Sequence, residues 1–238
     1  MSSATQSSIT YDPETRYLQL PRVGYGDAFW TKEDKHFKEI FERAEFFSTK
    51  FACRKTLQKM GIAERVDELL ASRQLGRLAH MDYHLYPDLC RDFLSTINLI
   101  EVDGTLWLEF LLEDRKYQLS MTAFYNIYGF PYGDFEPLPR FSHSSNVWSN
   151  IALPVAFVER ESRLSMVKNP VIRYALNLLA TTYFGRHKSS FSNTTELSLL
   201  YNEIRGAMTV APEHQILEFY PPSNPGSIFF RKLIHTKL

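Results

Sequence analysis

The chain has 238 residues, enough to bury a sizeable core in one or two domains. Its 27 basic and 27 acidic residues cancel, which excludes a general attraction to nucleic acid or to an anionic membrane. Two cysteines exclude a disulfide framework of the secreted kind. The first twenty residues lack a signal-peptide core, and no apolar run approaches the ~18 residues that span a bilayer. We therefore expect a soluble intracellular protein, cytoplasmic or nuclear.

The N-terminal third predicts an arm followed by helices. Residues 1–31 are rich in Ser, Thr, Pro and Gly, which favours a disordered or irregular arm. A first helix is expected after Thr31, and its apolar face would combine Phe37, Ile40, Phe41 and Ala44. Residues 48–61 read as a connector. Further amphipathic helices are expected from Ile62 to about Arg73 and from Pro87 onward.

Residues 106–119 predict a small β-hairpin. Leu106, Leu108, Phe110 and Leu112 alternate with the residues between them, as in a strand with one buried face. The four charged residues 113–116 form the expected turn, and residues 117–119 resume the apolar alternation.

A short helix is expected directly after this hairpin. Ser120 is its expected N-cap, and Gly129 followed by Pro131 should end it. The helix places a set of large apolar residues on one face: Met121, Phe124, Tyr125 and Tyr128. Such a face could be a stacking platform for bases or a ligand, but periodic aromatics favour a core contact with the hairpin.

Residues 131–150, with three prolines and many Ser and Asn, predict a loop and a boundary between two lobes. The expected domains are an N-terminal helical lobe over 32–135, which carries the hairpin, and a C-terminal helical lobe over 151–238. The second lobe should hold one helix from Asn169 to Gly185 and another that opens with an Asn193/Glu196 capping box and stops at Gly206. The overall prediction is a mainly α, bundle-like domain with one hairpin.

An apolar segment lies close to the C-terminus, at residues 228–230. An exposed segment of this kind is unusual in a finished domain and predicts that the C-terminal lobe is truncated.

Motifs for chemistry are sparse. His80 and His84 lie four residues apart, with Asp82, Asp88 and Cys90 nearby, which could suggest a metal. The glutamate of the zinc-protease motif is missing, so loop histidines are the favoured interpretation. Nucleophile-elbow, phosphate-loop and dinucleotide motifs are also missing from the sequence. We therefore assign no catalytic, cofactor-binding or metal residue and expect a protein without enzymatic activity.

A basic and aromatic cluster in the C-terminal third could contact nucleic acid. Residues 160–238 hold 10 basic and 5 acidic residues, a net charge of +5, against 17 and 22 in residues 1–159. The cluster comprises Arg173, Tyr174, Tyr183, Phe184, Arg186, His187 and Lys188. Cations beyond the end of a helix also complement its dipole, which is a sufficient structural reason for them.

Five blocks carry a family resemblance. They are FFSTKFACRKTLQKMGIAERVDELL, LYPDLCRDFLSTI, LWLEFLLEDRKYQLSMTAFYNIYGFPYGD, NPVIRYALNLLATTYFGR and TELSLLYNEIRG. In this order they resemble the gag-like first-reading-frame proteins of plant Athila-type gypsy retrotransposons, over roughly residues 40–235. A weaker similarity links the helix, hairpin and helix order to the plant mobile domain.

The resemblance implies a non-enzymatic structural protein that takes part in assembly, with self-association as the expected partner interaction. The alternative is a host-recruited nuclear interaction module of the mobile-domain type that touches nucleic acid. Neither alternative implies a small-molecule substrate, a cofactor or a membrane.

Overall fold

A computed structural model describes residues 22–25, 29–46, 51–81, 83–131, 141–187, 189–201, 204 and 224–235. The described helices in chain order are α1 Lys32–Glu42, α2 Arg54–Lys59, α3 Ala63–Ser72, α4 Gly76–Ala79, α5 Pro87–Thr96, α6 Met121–Tyr128, α7 Ser144–Ile151, α8 Pro170–Thr182, α9 Thr194–Leu199 and α10 Pro225–His235. The strands are β1 Arg22–Tyr25, β2 Asn98–Val102, β3 Thr105–Leu112 and β4 Arg115–Ser120. The prediction of a mainly α protein is confirmed.

The chain forms two compact units, and neither is continuous in sequence. Unit 1 comprises Met1–Phe46, His84–Ile127 and Arg231–Leu238, and unit 2 comprises Phe47–Tyr83 and Tyr128–Phe230. These units do not coincide with the lobes expected at 32–135 and 151–238, because residues 47–83 cluster with the C-terminal part of the chain.

Unit 1 contains an antiparallel sheet in the order β1-β4-β3-β2. The predicted hairpin is its central pair, in which Leu108 lies opposite Leu119. The predicted hairpin accounts for only two strands of the sheet, because β2 and β1 flank this pair. The β2–β3 turn consists of Asp103 and Gly104, both with positive φ (50° and 73°). Asp-Gly is a strong signal for a two-residue hairpin turn. The irregular arm predicted over 1–31 therefore contains a strand, while residues 1–21 lie outside the described residues.

Helices α1, α5 and α6 belong to unit 1. Helix α1 begins after Thr31 as predicted, and a capping box with Asp34 fixes its start. Its packed side differs from the prediction, because Ile40 is 48% exposed whereas Asp34 is buried. On α6, the Ser120 hydroxyl accepts the Ala123 N–H at 3.2 Å, which confirms the predicted N-cap.

Two members of the aromatic face predicted on α6 are core residues. Phe124 and Tyr125 are almost fully buried. The alternative of an exposed stacking platform at these two residues was therefore wrong. The end of the helix is as predicted: Gly129 has φ +72°, and a Cβ there would lie 3.2 Å from Arg77 side-chain carbons.

Helix α8 is central to unit 2, where it packs with α3, α4 and α9. The Asn169 side chain accepts the Val171 N–H at 2.9 Å, and Pro170 is the first helical residue, both as predicted. The buried residues of α8 recur with helical periodicity: Val171, Ile172, Ala175, Leu176, Leu178 and Leu179.

Two predictions about unit 2 were wrong. Residues 144–151 form helix α7 rather than loop, because Val147, Trp148 and Ile151 bury an apolar face that outweighs the weak helix propensity of Ser and Asn. The C-terminal apolar segment is not exposed: Ile228 is 1% and Phe230 0% accessible within α10. This burial contradicts the predicted exposure of the segment. The predicted helix stop at Gly206 lies outside the described residues.

Among the described residues, no helix is both long enough and apolar enough to cross a membrane.

Candidate functional site

A polar buried centre of unit 1 surrounds Asp92 on α5, which is 7% exposed. Lys38 of α1 places its Nζ 3.0 Å from Asp92 Oδ1. The Glu113 backbone N–H donates to Asp92 Oδ2 at 3.0 Å. One carboxylate thus ties two helices to the turn between β3 and β4, and both of its oxygens have a partner.

That turn is held from a second direction by Trp30, which is buried. The indole Nε1–H donates to Asp114 Oδ1 at 2.7 Å. The Lys38 ammonium lies 4.6 Å from the centroid of the same indole ring. We call Trp30, Lys38, Asp92, Glu113 and Asp114 the turn clamp.

The turn clamp offsets backbone strain. Glu113 and Asp114 have φ values of 48° and 59°, which an L side chain adopts at a cost. A two-residue turn of this type normally uses Asn-Gly or Asp-Gly. Here fixed hydrogen bonds to the backbone of Glu113 and the side chain of Asp114 stabilise the less favourable residues.

A cleft of about 410 Å³ lies beside the sheet in unit 1. Its lining includes Phe29, Asp34, Thr96, Asn98, Glu109 and Lys116. Glu109 accepts from Lys116 Nζ at 2.7 Å and from Gln118 Nε2 at 2.9 Å. Asp34 Oδ2 accepts from the hydroxyl and backbone N–H of Thr31. The volume suits a small molecule, but these carboxylates serve cross-strand pairing and helix capping.

Among the described residues of unit 2, the Glu196 carboxylate on α9 is completely buried. The predicted capping box is confirmed: Asn193 Oδ1 accepts the Glu196 N–H at 2.8 Å, and the Asn193 N–H donates to Glu196 Oε2 at 3.2 Å. Arg186 Nη2 lies 3.0 Å from Glu196 Oε1 and also donates to the Phe191 carbonyl. Arg186 therefore closes the loop between α8 and α9.

The other members of the predicted nucleic-acid cluster are mostly structural. Tyr174 accepts the Cys53 N–H at 3.4 Å. Tyr183 is 2% exposed, donates its hydroxyl to the Pro225 carbonyl and packs edge-on against Phe184 at 4.8 Å between ring centroids. Arg173 is half-buried and His187 is exposed, while Lys188 lies outside the described residues. A contiguous basic and aromatic surface is not formed by the described members of the cluster.

The predicted metal candidates are dispersed. His80 Nε2, in unit 2, lies 3.5 Å from Asp67 Oδ1. His84, in unit 1, packs its ring edge-on against Tyr86, and Asp88 pairs with Arg91 at 3.0 Å. Asp82 is outside the described residues. Within the described ranges, no group of three or more His, Cys, Asp or Glu side chains could hold a metal ion.

The two cysteines have opposite environments. Cys53 is exposed, and the Thr56 hydroxyl donates to its Sγ at 3.2 Å. This hydrogen bond, with those from backbone N–H groups of the first turn of α2, lowers the pKa of the Cys53 thiol. Cys90 is half-buried, and burial raises the pKa of its thiol. The two thiols are therefore chemically distinct.

Of the two buried polar centres, the one at Glu196 carries a local signal in the sequence and the turn clamp does not. Asn193 and Glu196 have the spacing of a capping box, so their pairing could be predicted. The turn clamp carries no local signal, since Trp30, Asp92 and Asp114 come together only when the sheet and helices have formed.

Comparison with known proteins identifies a family. No curated protein and no solved structure matches the chain. The family model described as the ATHILA ORF-1 family matches residues 30–217, and the match gives no support to the plant mobile domain. Since those residues include most of both units, the chain belongs to the ATHILA ORF-1 family and is retrotransposon-derived.

Proposed function

We propose that the protein is a non-enzymatic, gag-like structural component that acts by associating with further copies of itself. Family membership carries this proposal, because it gives the chain its origin in the first reading frame of a retrotransposon. The side-chain chemistry of the two units agrees with it.

Buried ionisable groups support a structural role. Catalytic acids and bases are typically found in clefts with strongly perturbed pKa values and with atoms directed at a substrate. Asp92 instead joins α1, α5 and a β-turn, and Glu196 joins a helix start to a loop. Each buried carboxylate is used to hold the backbone.

The cleft of unit 1 also favours a structural role over catalysis. Glu109 is paired with Lys116 across neighbouring strands, at 2.7 Å. A general base needs an oxygen within reach of a substrate proton, and both oxygens of Glu109 already accept hydrogen bonds from the protein.

The alternative of nucleic-acid binding is weakened at one of its cations. Arg186 of the predicted cluster is engaged by the buried Glu196 carboxylate and the Phe191 carbonyl. Phosphate contact would require that pair to open.

Sedimentation velocity over a wide range of protein concentration tests the proposal. We expect the weight-average mass to rise reversibly with concentration at moderate salt. A single monomeric species up to the highest concentration reached would contradict the assembly role. A parallel gel-shift series with nucleic acid at rising salt tests the alternative, because phosphate contacts weaken steeply with ionic strength.

A further inference from the structure

Strand β2 lies at the edge of the sheet in unit 1. Its inner side pairs with β3 from Asn98 opposite Glu109 to Val102 opposite Thr105. Among the described residues, no other strand pairs with its outer side. The outer side therefore presents backbone groups that another strand could bind.

The turn determines which backbone groups face outward. In a two-residue hairpin loop, the flanking residues form a hydrogen-bonded pair, and such pairs then alternate along the strands. Here Val102 flanks the Asp103-Gly104 turn, so Val102, Ile100 and Asn98 direct their N–H and C=O groups to β3. Leu99 and Glu101 consequently direct theirs away from the sheet.

We propose that this outer edge pairs antiparallel with the same edge of a second copy, about a two-fold axis at Ile100. The inference rests on the proposed self-association and names the surface that performs it. Leu99 and Glu101 lie symmetrically on either side of Ile100. In this register, Leu99 of each copy exchanges two backbone hydrogen bonds with Glu101 of the other. The Ile100 side chains meet at the centre in a non-hydrogen-bonded pair.

The charges along the strand favour the antiparallel direction when the partner is a second copy. Glu101 lies opposite Leu99 of the second copy, so no like charges are directly opposed. Parallel pairing in register would place the two Glu101 carboxylates side by side. The half-buried Trp107 lies next to Ile100 on β3, which extends an apolar row from each copy to the axis. Val102, 40% exposed, flanks the row on the same face.

Asn98 competes with this pairing and makes it reversible. Its side-chain Oδ1 accepts the Leu99 N–H at 2.9 Å, so one outward donor is occupied in the single chain. The Glu101 N–H is the outward donor without such a local acceptor in the described contacts. A second copy must displace Asn98 from Leu99 to complete all the hydrogen bonds.

Cysteine cross-linking tests the register. In a Cys53→Ser, Cys90→Ser background, Ile100→Cys should form an intermolecular disulfide under mild oxidation, because a non-hydrogen-bonded pair places its Cα atoms about 4.5 Å apart. Val102→Cys is the matched control. Position 102 is more exposed than position 100, but in the proposed register it lies opposite Asn98 of the second copy and not opposite Val102 of that copy. We expect at least tenfold faster cross-linking at position 100. Equal rates, or faster cross-linking at position 102, would overturn the proposal.

Proline substitution tests the hydrogen bonds. Glu101→Pro removes an outward N–H but no hydrogen bond to β3, so unit 1 should keep its circular dichroism spectrum while the dissociation constant rises at least tenfold. Glu101→Ala keeps the N–H and should associate like the unsubstituted protein. Asn98→Ala should tighten association severalfold by freeing the Leu99 N–H.

The outcomes separate the two proposals. If the unsubstituted protein associates and Glu101→Pro, correctly folded, associates equally well, the edge is not the interface and assembly occurs elsewhere. If Glu101→Pro misfolds, the position 100 and 102 cross-linking rates decide. If the unsubstituted protein stays monomeric at every concentration, both the function and the interface are refuted.

Discussion

Two buried carboxylates, Asp92 in unit 1 and Glu196 in unit 2, stabilise different kinds of structure. Glu196 in unit 2 binds within its own neighbourhood, to Arg186 and to the N–H of Asn193. Asp92 in unit 1 binds Lys38 on another helix and the N–H of Glu113, 21 residues along the chain. A local carboxylate fixes a loop, whereas a long-range one fixes how helices meet a sheet.

Their solvent exposure differs as well. Glu196 is fully buried and its Arg186 partner has a side chain that is 22% exposed, whereas Lys38 is 38% exposed. Water screens the Lys38–Asp92 pair more strongly. We therefore expect the two sites to respond differently to the same substitutions.

The largest effect is expected for Glu196→Ala. It leaves a mostly buried guanidinium without its carboxylate and removes a helix cap, so unfolding should become easier by about 3 kcal/mol. Chemical denaturation followed by circular dichroism measures this. Glu196→Gln keeps a cap acceptor and should cost less. A loss below about 0.5 kcal/mol for the alanine variant would contradict a structural role for the pair.

Asp92→Ala should destabilise unit 1 by about 2 kcal/mol, because it leaves the Glu113 N–H without its acceptor and the partly screened Lys38 without its carboxylate. Asp92→Asn retains an acceptor for the N–H and should recover part of the loss. Hydrogen exchange at Glu113 supplies a local readout. A larger loss in the free energy of unfolding for Asp92→Ala than for Glu196→Ala would contradict the expected difference between the two sites.

Trp30→Phe should cost about 1 kcal/mol, since it keeps an aromatic ring but loses the hydrogen bond to Asp114. A double-mutant cycle with Asp114→Ala isolates that bond. The two substitutions should be clearly non-additive. Additive free energies of unfolding would mean that the indole contributes to the turn clamp only by packing.

The smallest effect concerns the thiols. Below the usual thiol pKa, Cys53 holds more thiolate than Cys90, because its pKa is lowered and that of Cys90 is raised. Iodoacetamide should therefore label Cys53 faster near neutral pH, and the ratio should shrink as pH rises and Cys90 also ionises. Thr56→Val removes the side-chain hydrogen bond and should slow labelling of Cys53. Labelling of Cys90 first, measured by peptide mass spectrometry, would refute this assignment.

Local signals in the sequence predicted local structure well. The N-caps Ser120, Asn169 and Asn193 are confirmed, because a cap is decided by residues at most three positions apart. The missed strand β2 also had a local signal, the Asp103-Gly104 turn. Helix α7 was missed because its Ser and Asn residues suggested a loop, although Val147, Trp148 and Ile151 share one face.

Sequence patterns predict the mainly helical character, most helix starts, the central β3–β4 pair and the family. Only the folded arrangement reveals that Asp34 rather than Ile40 is buried on α1, that Asp92 and Trp30 hold the same turn, and that Arg186 is paired inside unit 2. The difference lies in the distance along the chain over which each interaction acts. Capping and turn preferences act over a few residues, but the burial of a charge depends on which distant group arrives to compensate it.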